Sequence, residues 1–407
     1  MELRSAMLKK ISVDQLKPGM YVTNISDRGI SLHEHEREGR IKDQKTILAL
    51  SKRGVRELYI DTKQGDDSPH AIAIEESDKQ LKGKLEDIAT EQKPRAKEVS
   101  FEQEFEKASQ MHYEAINMVS NAMEAAKTGN IVDLDNIENM AENFMDSVER
   151  NQNALACLSR IREKDSYLME HSVNVAVLMS ILGKYLQLER VYLHQCVTGA
   201  LLHDIGKVLI PDTILHKPGK LTHDEFAIMR RHASYSKRIL QKNHGFPQVS
   251  INVAGQHHER LDGKGYPDGL QGDAISQEAR MASVVDIYDA ITADRVYHKG
   301  MPPSVALKRM LEWSGPHLDT KYVHAFIKAI GVYPVGSLVE LSNGLAGIVI
   351  KENPGSIKPI IKVMYNVKQN IYAQVTTLDL SLKTCGEHII RSLNPQDFGI
   401  KVEDFIL

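Results

Sequence analysis

Five stretches between Met169 and Arg295 set an imidazole or a carboxylate into or beside an apolar helical run. His171 lies in YLMEHSVNVAVL, His203 and Asp204 in LLHDIGKVLIP, His232 in MRRHASYS, and Asp286 in SVVDIYDAITADR, while His257 and His258 stand before the glycine-rich run RLDGKGYPDGL. Burying such groups without compensation is expensive. A fold that accepts this sequence must therefore bring them to one another. Convergence on metal ions removes the penalty, since neutral imidazoles and carboxylates suit first-row ions and an acidic oxygen can bridge two of them. Each histidine alone reads more simply as a hydrogen-bonded structural residue. The ensemble does not, because a vicinal pair, an adjacent His-Asp and a downstream Asp fit neither a solvated face nor core filler.

The rest of the composition narrows the field. A chain of 407 residues suggests two or three domains. Lys plus Arg (51) nearly balances Asp plus Glu (54), which argues against a nucleic-acid duplex or an acidic membrane as the main partner. Cys157, Cys196 and Cys385 are far apart and form no CxxC pair, so neither a disulfide framework nor a thiolate zinc site is expected. The opening MELRSAMLKKISVDQ lacks a signal-like apolar core and no run approaches the roughly 20 apolar residues of a membrane span, which places the protein in the cytoplasm.

Periodicity predicts a mainly α chain. Residues 1–65 read as a small α+β module, with a Lys17-Pro18-Gly19 turn, a helix near Lys45–Lys52 and a strand at Val55–Ile60. Residues 66–100 are polar and read as a linker with a short helix near Ser77–Ala89. In 101–160, Phe101, Phe105, Ala108, Ala115, Val119, Ala122 and Ala126 draw one helical stripe, interrupted in type by His112. After the break at Thr128-Gly129-Asn130, Ile137, Met140, Phe144, Val148, Leu155 and Leu158 draw a second. The pair is a hairpin or stalk, which either packs on the next domain or serves as a homodimer interface. Residues 161–330 read as a helical bundle. Residues 331–407 read as a small antiparallel β subdomain, with strands at Ser337–Leu341, Ala346–Lys351 and Pro359–Tyr365 and turns at Asn343-Gly344 and Asn353-Pro354-Gly355.

LLHDIGK together with HHERLDGKGYP, the intervening KPGKLTHDEFAIMRRH and the later DIYDAITADRVYHK resembles the HD-GYP family of the HD phosphohydrolase superfamily, from Asp165 to about Ile330. LKPGMYV and VRELYID resemble the uncharacterised domain often found ahead of it. The resemblance implies an HD-type metal-binding bundle that hydrolyses cyclic di-GMP to linear pGpG, and on to GMP in some members. It makes His171, His203, Asp204, His232, His257, His258 and Asp286 the ligands of two divalent ions, iron or manganese first, with zinc, nickel, cobalt or magnesium as alternatives. Asp204 would bridge, with His171, His203 and Asp286 around one ion and His232, His257 and His258 around the other. A bridging hydroxide would attack the phosphate in line. Lys207 and Arg295 would stabilise phosphoryl charge, with Lys299 and Tyr266 as further substrate contacts. The loop of Gly265, Tyr266 and Pro267 would border the substrate or dock diguanylate cyclase domains.

The sequence departs from the family at Tyr167, where members with a third metal carry a glutamate one turn before the first histidine; two ions are therefore expected. A different cyclic dinucleotide or nucleotide substrate, or a non-catalytic nucleotide sensor or scaffold, are the competing readings.

Overall fold

The computed structural model describes residues 8–23, 38–52, 55–90, 99–161, 167–294, 299–353 and 356–406. The chain divides into two compact units, Met1–Glu86 and Asp87–Leu407. Among the described residues, no helix is long and apolar enough to cross a membrane.

The smaller unit is an antiparallel sheet in the order β3-β2-β4-β1-β5, formed by Leu8–Ser12 (β1), Tyr21–Thr23 (β2), Gly39–Arg40 (β3), Glu57–Asp61 (β4) and Ile72–Ala73 (β5). Helix α1 (Gln44–Lys52) contributes Ile47 to a core with Ile11, Met20, Val22, Leu58 and Ile60. The turn before β2 needs Gly19, whose φ of 104° lies in the left-handed region and whose N–H donates to the Ile41 carbonyl at 2.9 Å. The sheet also takes in residues that the sequence assigns to a linker. Asp66 N–H donates to Gly19, Asp67 pairs with Lys9, and β5 adds to β1. Two paired residues carry no readable alternation, so the sequence does not announce this strand. Helix α2 (Ile74–Thr90) follows at once.

The larger unit begins with the hairpin. Helix α3 (Phe101–Thr128) is capped by Ser100, which accepts from the Gln103 N–H, and ends at Gly129 with φ 77°. Helix α4 (Leu134–Leu158) is capped by Asp133. Both pack on α5 (Tyr167–Leu186), so the stripe that raises the homodimer option is covered from within the chain. At its start the stripe serves a different purpose. Phe101 and Phe105 pack into the β subdomain's core beside Cys157, Leu338, Met364 and Ile406.

Helix α5 is buried from residue 171 to residue 183, as expected of a helix apolar on every side, and becomes the central rod of the bundle. Around it lie α6 (Arg190–Leu201), the short α7 (Asp212–Leu215) and α8 (His223–Met229), α9 (Arg231–Lys242), α10 (Gln248–Gln256), α11 (Gln277–Thr292), α12 (Pro303–Trp313) and α13 (Thr320–Ile330). The closing sheet is antiparallel in the order β10-β6-β7-β8-β9, from Leu338–Leu341 (β6), Leu345–Lys351 (β7), Ile360–Asn366 (β8), Ile371–Asp379 (β9) and Ile389–Leu393 (β10), with a last turn of helix at Glu403–Ile406. Its two edge strands, β9 and β10, are not foreseen in the sequence. Most of β9 faces water, and without a buried face its alternation is weak. The expected turn at Pro354-Gly355 lies outside the described residues.

One buried ion pair holds the hairpin shut. The Glu104 carboxylate, on α3, accepts from Arg150 Nε (2.7 Å) and Nη2 (2.9 Å) and from Ser147 Oγ (2.8 Å), all on α4. Arg150→Ala should leave Glu104 buried and short of its cation. The expected loss is about 3 kcal/mol in urea unfolding, the low end for a broken buried pair, because Arg150 keeps 37% of its side chain in water.

Candidate metal centre

The local folding of each element explains why the cluster converges. His171 stands in the first turn and a half of the buried rod α5. Helix α6 stops at Leu201, and His203 and Asp204 follow where the chain tightens into a 3-10 turn, Ile205–Leu209. Gly206 permits that turn: a Cβ there would come within 2.2 Å of the His232 carbonyl oxygen and 2.5 Å of the Ser236 nitrogen. The Gly206 N–H donates instead to Ser236 Oγ at 2.9 Å, which seats α9 and its His232 against the turn. His257 and His258 leave the end of α10, and Asp286 stands on α11.

All seven predicted residues come together. The groups His171–His203–Asp286, His232–His257–His258 and His203–Asp204–His257 each have ligand-type atoms within 4.8 Å of one another. Asp204 lies between the two ends of the cluster. Its Oδ2 is 3.5 Å from His171 Nε2 and 3.4 Å from His203 Nε2, and its Oδ1 is 3.4 Å from His232 Nε2.

The backbone fixes which nitrogen of His203, His232 and His257 faces the centre. His203 Nδ1 donates to the Ala200 carbonyl (2.8 Å), His232 Nδ1 to Met229 (2.7 Å) and His257 Nδ1 to Ala254 (3.1 Å). A carbonyl can only accept, so the proton sits on Nδ1 and Nε2 faces the centre, as a bare lone pair in the neutral rings of His232 and His257. The Nε2 atoms of His232 and His257 are 3.5 Å apart, with no hydrogen to share. Asp204 Oδ1 is buried beside them without a hydrogen-bond partner. Lone pairs and an anionic oxygen crowded at this spacing are satisfied by a cation, so the donor set fits bound metal.

Ionisation divides the cluster into two halves. Burial works against charge on His171, but its bonds to Asp286 (3.0 Å) and Asp289 (2.7 Å) prevail and raise it to about 9. Burial lowers His232 to about 4 and His257 to about 3, and burial beside His257 takes His258 well below the imidazole range. Against the cost of burial, Lys207, whose Nζ is 2.5 Å from Asp204 Oδ2, and His203 hold Asp204 well below the usual carboxylate value. His171 likewise outweighs burial to depress Asp286.

The remaining predicted residues fall variously. Lys207 is half-buried at the cluster, bonded to Asp204. Tyr266 turns inward: its ring centroid is 4.7 Å from that of His258, and burial pushes its phenol up. Gly265 is obligatory, since a Cβ would meet the Arg260 nitrogen at 2.4 Å and the His258 oxygen at 2.6 Å. Pro267 follows Tyr266 through a cis peptide bond. Lys299 is exposed and bonded to Asp397, outside the cluster. Arg295 lies outside the described residues, and so does the side chain of Tyr167, which opens α5.

Two residues escape a reading of the sequence. Asp289 accepts from His171 Nδ1 and so fixes that ring; its signal is the spacing Asp286–Asp289, which puts both carboxylates on one face of α11. Glu259 is buried and takes the N–H groups of Asp268 (2.7 Å), Gly269 (3.1 Å) and Leu270 (3.0 Å), pinning the loop that begins after the vicinal histidines.

The opposed imidazole shifts set the pH dependence of the metal-free protein. Unfolding lets His232 and His257 return to about 6.5, so between about 4 and 6.5 the unfolded chain binds more protons and stability rises with pH. His171 acts in reverse, and its contribution is lost as pH rises from about 6.5 through about 9. Urea unfolding of chelator-treated protein should therefore show a maximum near pH 6.5, and a curve rising steadily to pH 9 would contradict these assignments.

Comparison with known proteins agrees with this architecture. A family model described as "HD domain" matches residues 155–322, and one described as "Domain of unknown function (DUF3391)" matches residues 8–137. A cyclic di-GMP phosphodiesterase of Pseudomonas aeruginosa is 36% identical over 92% of this chain and 89% of its own length. A 3'3'-cGAMP-specific phosphodiesterase of Vibrio cholerae is 39% identical, over 42% of this chain and 37% of that protein. A solved HD-GYP-type protein of Bdellovibrio bacteriovorus aligns over 78% of this chain and 98% of its own, at 19% identity and a TM-score of 0.47. Since the similarity to the Pseudomonas protein runs almost end to end in both chains, through the N-terminal domain as well as the HD domain, this chain belongs to the HD-GYP family.

Proposed function

We propose that this protein is a metal-dependent phosphodiesterase that opens cyclic di-GMP to linear pGpG. The observation that carries the proposal is the buried cluster of bare Nε2 atoms around an unpartnered Asp204 oxygen. The near full-length similarity to a cyclic di-GMP phosphodiesterase supports the substrate. His171, His203 and Asp286 would hold one divalent ion, His232, His257 and His258 a second, with Asp204 shared between them. When bound, such a pair supplies Lewis acidity at the scissile phosphate and a water acidic enough to ionise near neutral pH. Iron or manganese suits this mixture of imidazole and carboxylate donors.

The protein's own part is orientation and charge. The carbonyls of Ala200, Met229 and Ala254 and the Asp289 carboxylate keep Nδ1 of His203, His232, His257 and His171 occupied, so the Nε2 atoms of these four rings face inward. Lys207 stands at the rim of the cluster, where an incoming phosphate would compete with Asp204 for its ammonium. With Tyr266 turned inward, the exposed Lys264, Asp268 and Gly269 are the part of the loop that would meet a partner such as a diguanylate cyclase domain. The 3'3'-cGAMP-specific relative makes the mixed dinucleotide the second substrate to test.

Chromatography of products from cyclic di-GMP and 3'3'-cGAMP, with metal-loaded wild type and Asp204→Ala, tests the reading. Wild type should release pGpG from cyclic di-GMP, with GMP appearing later or not at all, and Asp204→Ala should be inactive. Near-wild-type turnover by Asp204→Ala would remove the mechanism, and faster turnover of 3'3'-cGAMP would change the substrate. Asp289→Asn should keep the fold but weaken metal binding about 10- to 100-fold, the usual effect of losing the partner that orients a ligand. Metal titration followed by calorimetry checks this.

A further inference from the structure

The segment ahead of His232 builds a second feature at the rim of the cluster. Helix α8 opens with a capping box: Thr222 Oγ1 accepts from the Glu225 N–H (3.3 Å), and Glu225 accepts from the Thr222 N–H (2.7 Å). Lys217 Nζ closes on the same carboxylate at 2.6 Å. This start fixes the helix so that Phe226 and Arg230, four residues apart, share one face. The Arg230 guanidinium carbon lies 5.5 Å from the Phe226 ring centroid and 5.8 Å from that of Tyr266. Tyr266 in turn lies 4.7 Å from His258 and 6.2 Å from His232, centroid to centroid. A cation is thus held by two aromatic faces beside the histidine and aspartate cluster. Among the described residues its N–H donors meet no acceptor and no carboxylate pairs with it. Phe226 keeps 37% of its surface in water next to it. A planar fork of donors, positioned but unused, and an exposed ring beside it are the parts of a base-recognition site.

We propose that Arg230 reads a guanine of the cyclic dinucleotide, donating to O6 and N7, while Phe226 covers the base. The proposal rests on the phosphodiesterase reading above. Guanine offers two acceptors on that edge, which match the fork, whereas adenine offers one acceptor and one donor. The same contact therefore selects guanine over adenine. A phosphate would accept the same fork, but phosphates are common to guanine and adenine dinucleotides, so only base reading changes the preference between them.

The test is steady-state kinetics of metal-loaded wild type, Arg230→Ala and Arg230→Lys, with cyclic di-GMP as substrate and cyclic di-AMP as substrate or competitive inhibitor. Arg230→Ala should raise KM for cyclic di-GMP about tenfold or more, the scale of one bidentate base contact, with a smaller change in kcat, and Arg230→Lys should raise it less. The preference for guanine over adenine should fall by the same factor. An unchanged KM in Arg230→Ala, or equal losses with both dinucleotides, would overturn the inference. Arg230→Lys keeps the aliphatic stem, and metal content per chain reports on folding; loss of metal from both variants would assign Arg230 a structural role and also overturn it. Absence of cyclic di-GMP turnover by wild type would refute the parent reading and this one with it. Wild-type turnover with an unaffected Arg230→Ala refutes this one alone.

Discussion

The buried Asp204 carboxylate governs the centre of this molecule. It has no hydrogen-bond partner for Oδ1, and imidazole nitrogens stand 3.4 to 3.5 Å from its oxygens on both sides. A lone buried carboxylate would ordinarily take up a proton and become neutral. Lys207 and His203 prevent that, so the negative charge is retained where water cannot screen it. Much of the surrounding architecture follows from keeping that charge in place. The 3-10 turn after α6 brings Lys207 back over Asp204, and Gly206 lets α9 approach closely enough to add His232.

The hairpin contributes to the same rigidity through α5. His112, buried on α3, bonds through Nε2 to Asn174 Oδ1 (3.1 Å), and Asn174 Nδ2 donates to the Ser159 carbonyl at the end of α4 (3.1 Å). Asn174 is three residues beyond His171, so the helix face that carries the imidazole is tied to both arms of the hairpin. Lys184, further along α5, donates to the Val148 carbonyl (2.7 Å) near the non-helical Asn151, where the helix ladder is interrupted. In the sequence His112 looks like an interruption of an apolar stripe. In the fold it is the polar link through which the hairpin registers on the rod, and the stripe around it supplies the burial.

What was legible in the sequence depended on contrast. Each histidine or aspartate of the cluster stands out because its neighbours are apolar, and the glycines after His258 stand out because they end regular structure. The hairpin was equally plain, since two long stripes with a glycine between them leave few alternatives. Asp289 and Glu259 were not legible, although they lie inside the same motifs. Their partners are an imidazole from a distant helix and three backbone N–H groups, and a carboxylate on a helix or beside a loop reads as solvated until those donors are placed. Arg230 was hidden in the same way: in MRRH it is one of two adjacent cations, and only the fold shows which one faces aromatic rings. The edge strands β9 and β10 lacked contrast altogether, being polar or short where they meet water.

The two halves of the cluster differ in charge, and the proposed ligand assignment gives that difference a consequence. Asp286 belongs to the half with His171 and His203, and Asp289 reinforces it through His171 Nδ1. The other half consists of three imidazoles, with Asp204 Oδ1 3.4 Å from His232 Nε2 and Asp286 Oδ2 more distant, 3.8 Å from His258 Nδ1. A divalent ion in the first half would be met by one full carboxylate, a share of another and an imidazole made more basic by Asp289. An ion in the second half would be met mainly by neutral nitrogens, and would be the stronger Lewis acid and the more weakly held of the two. Tyr266 lies against His258 of that half and Arg230 against Tyr266, so the more electrophilic side would also be the side on which an anionic dinucleotide is received.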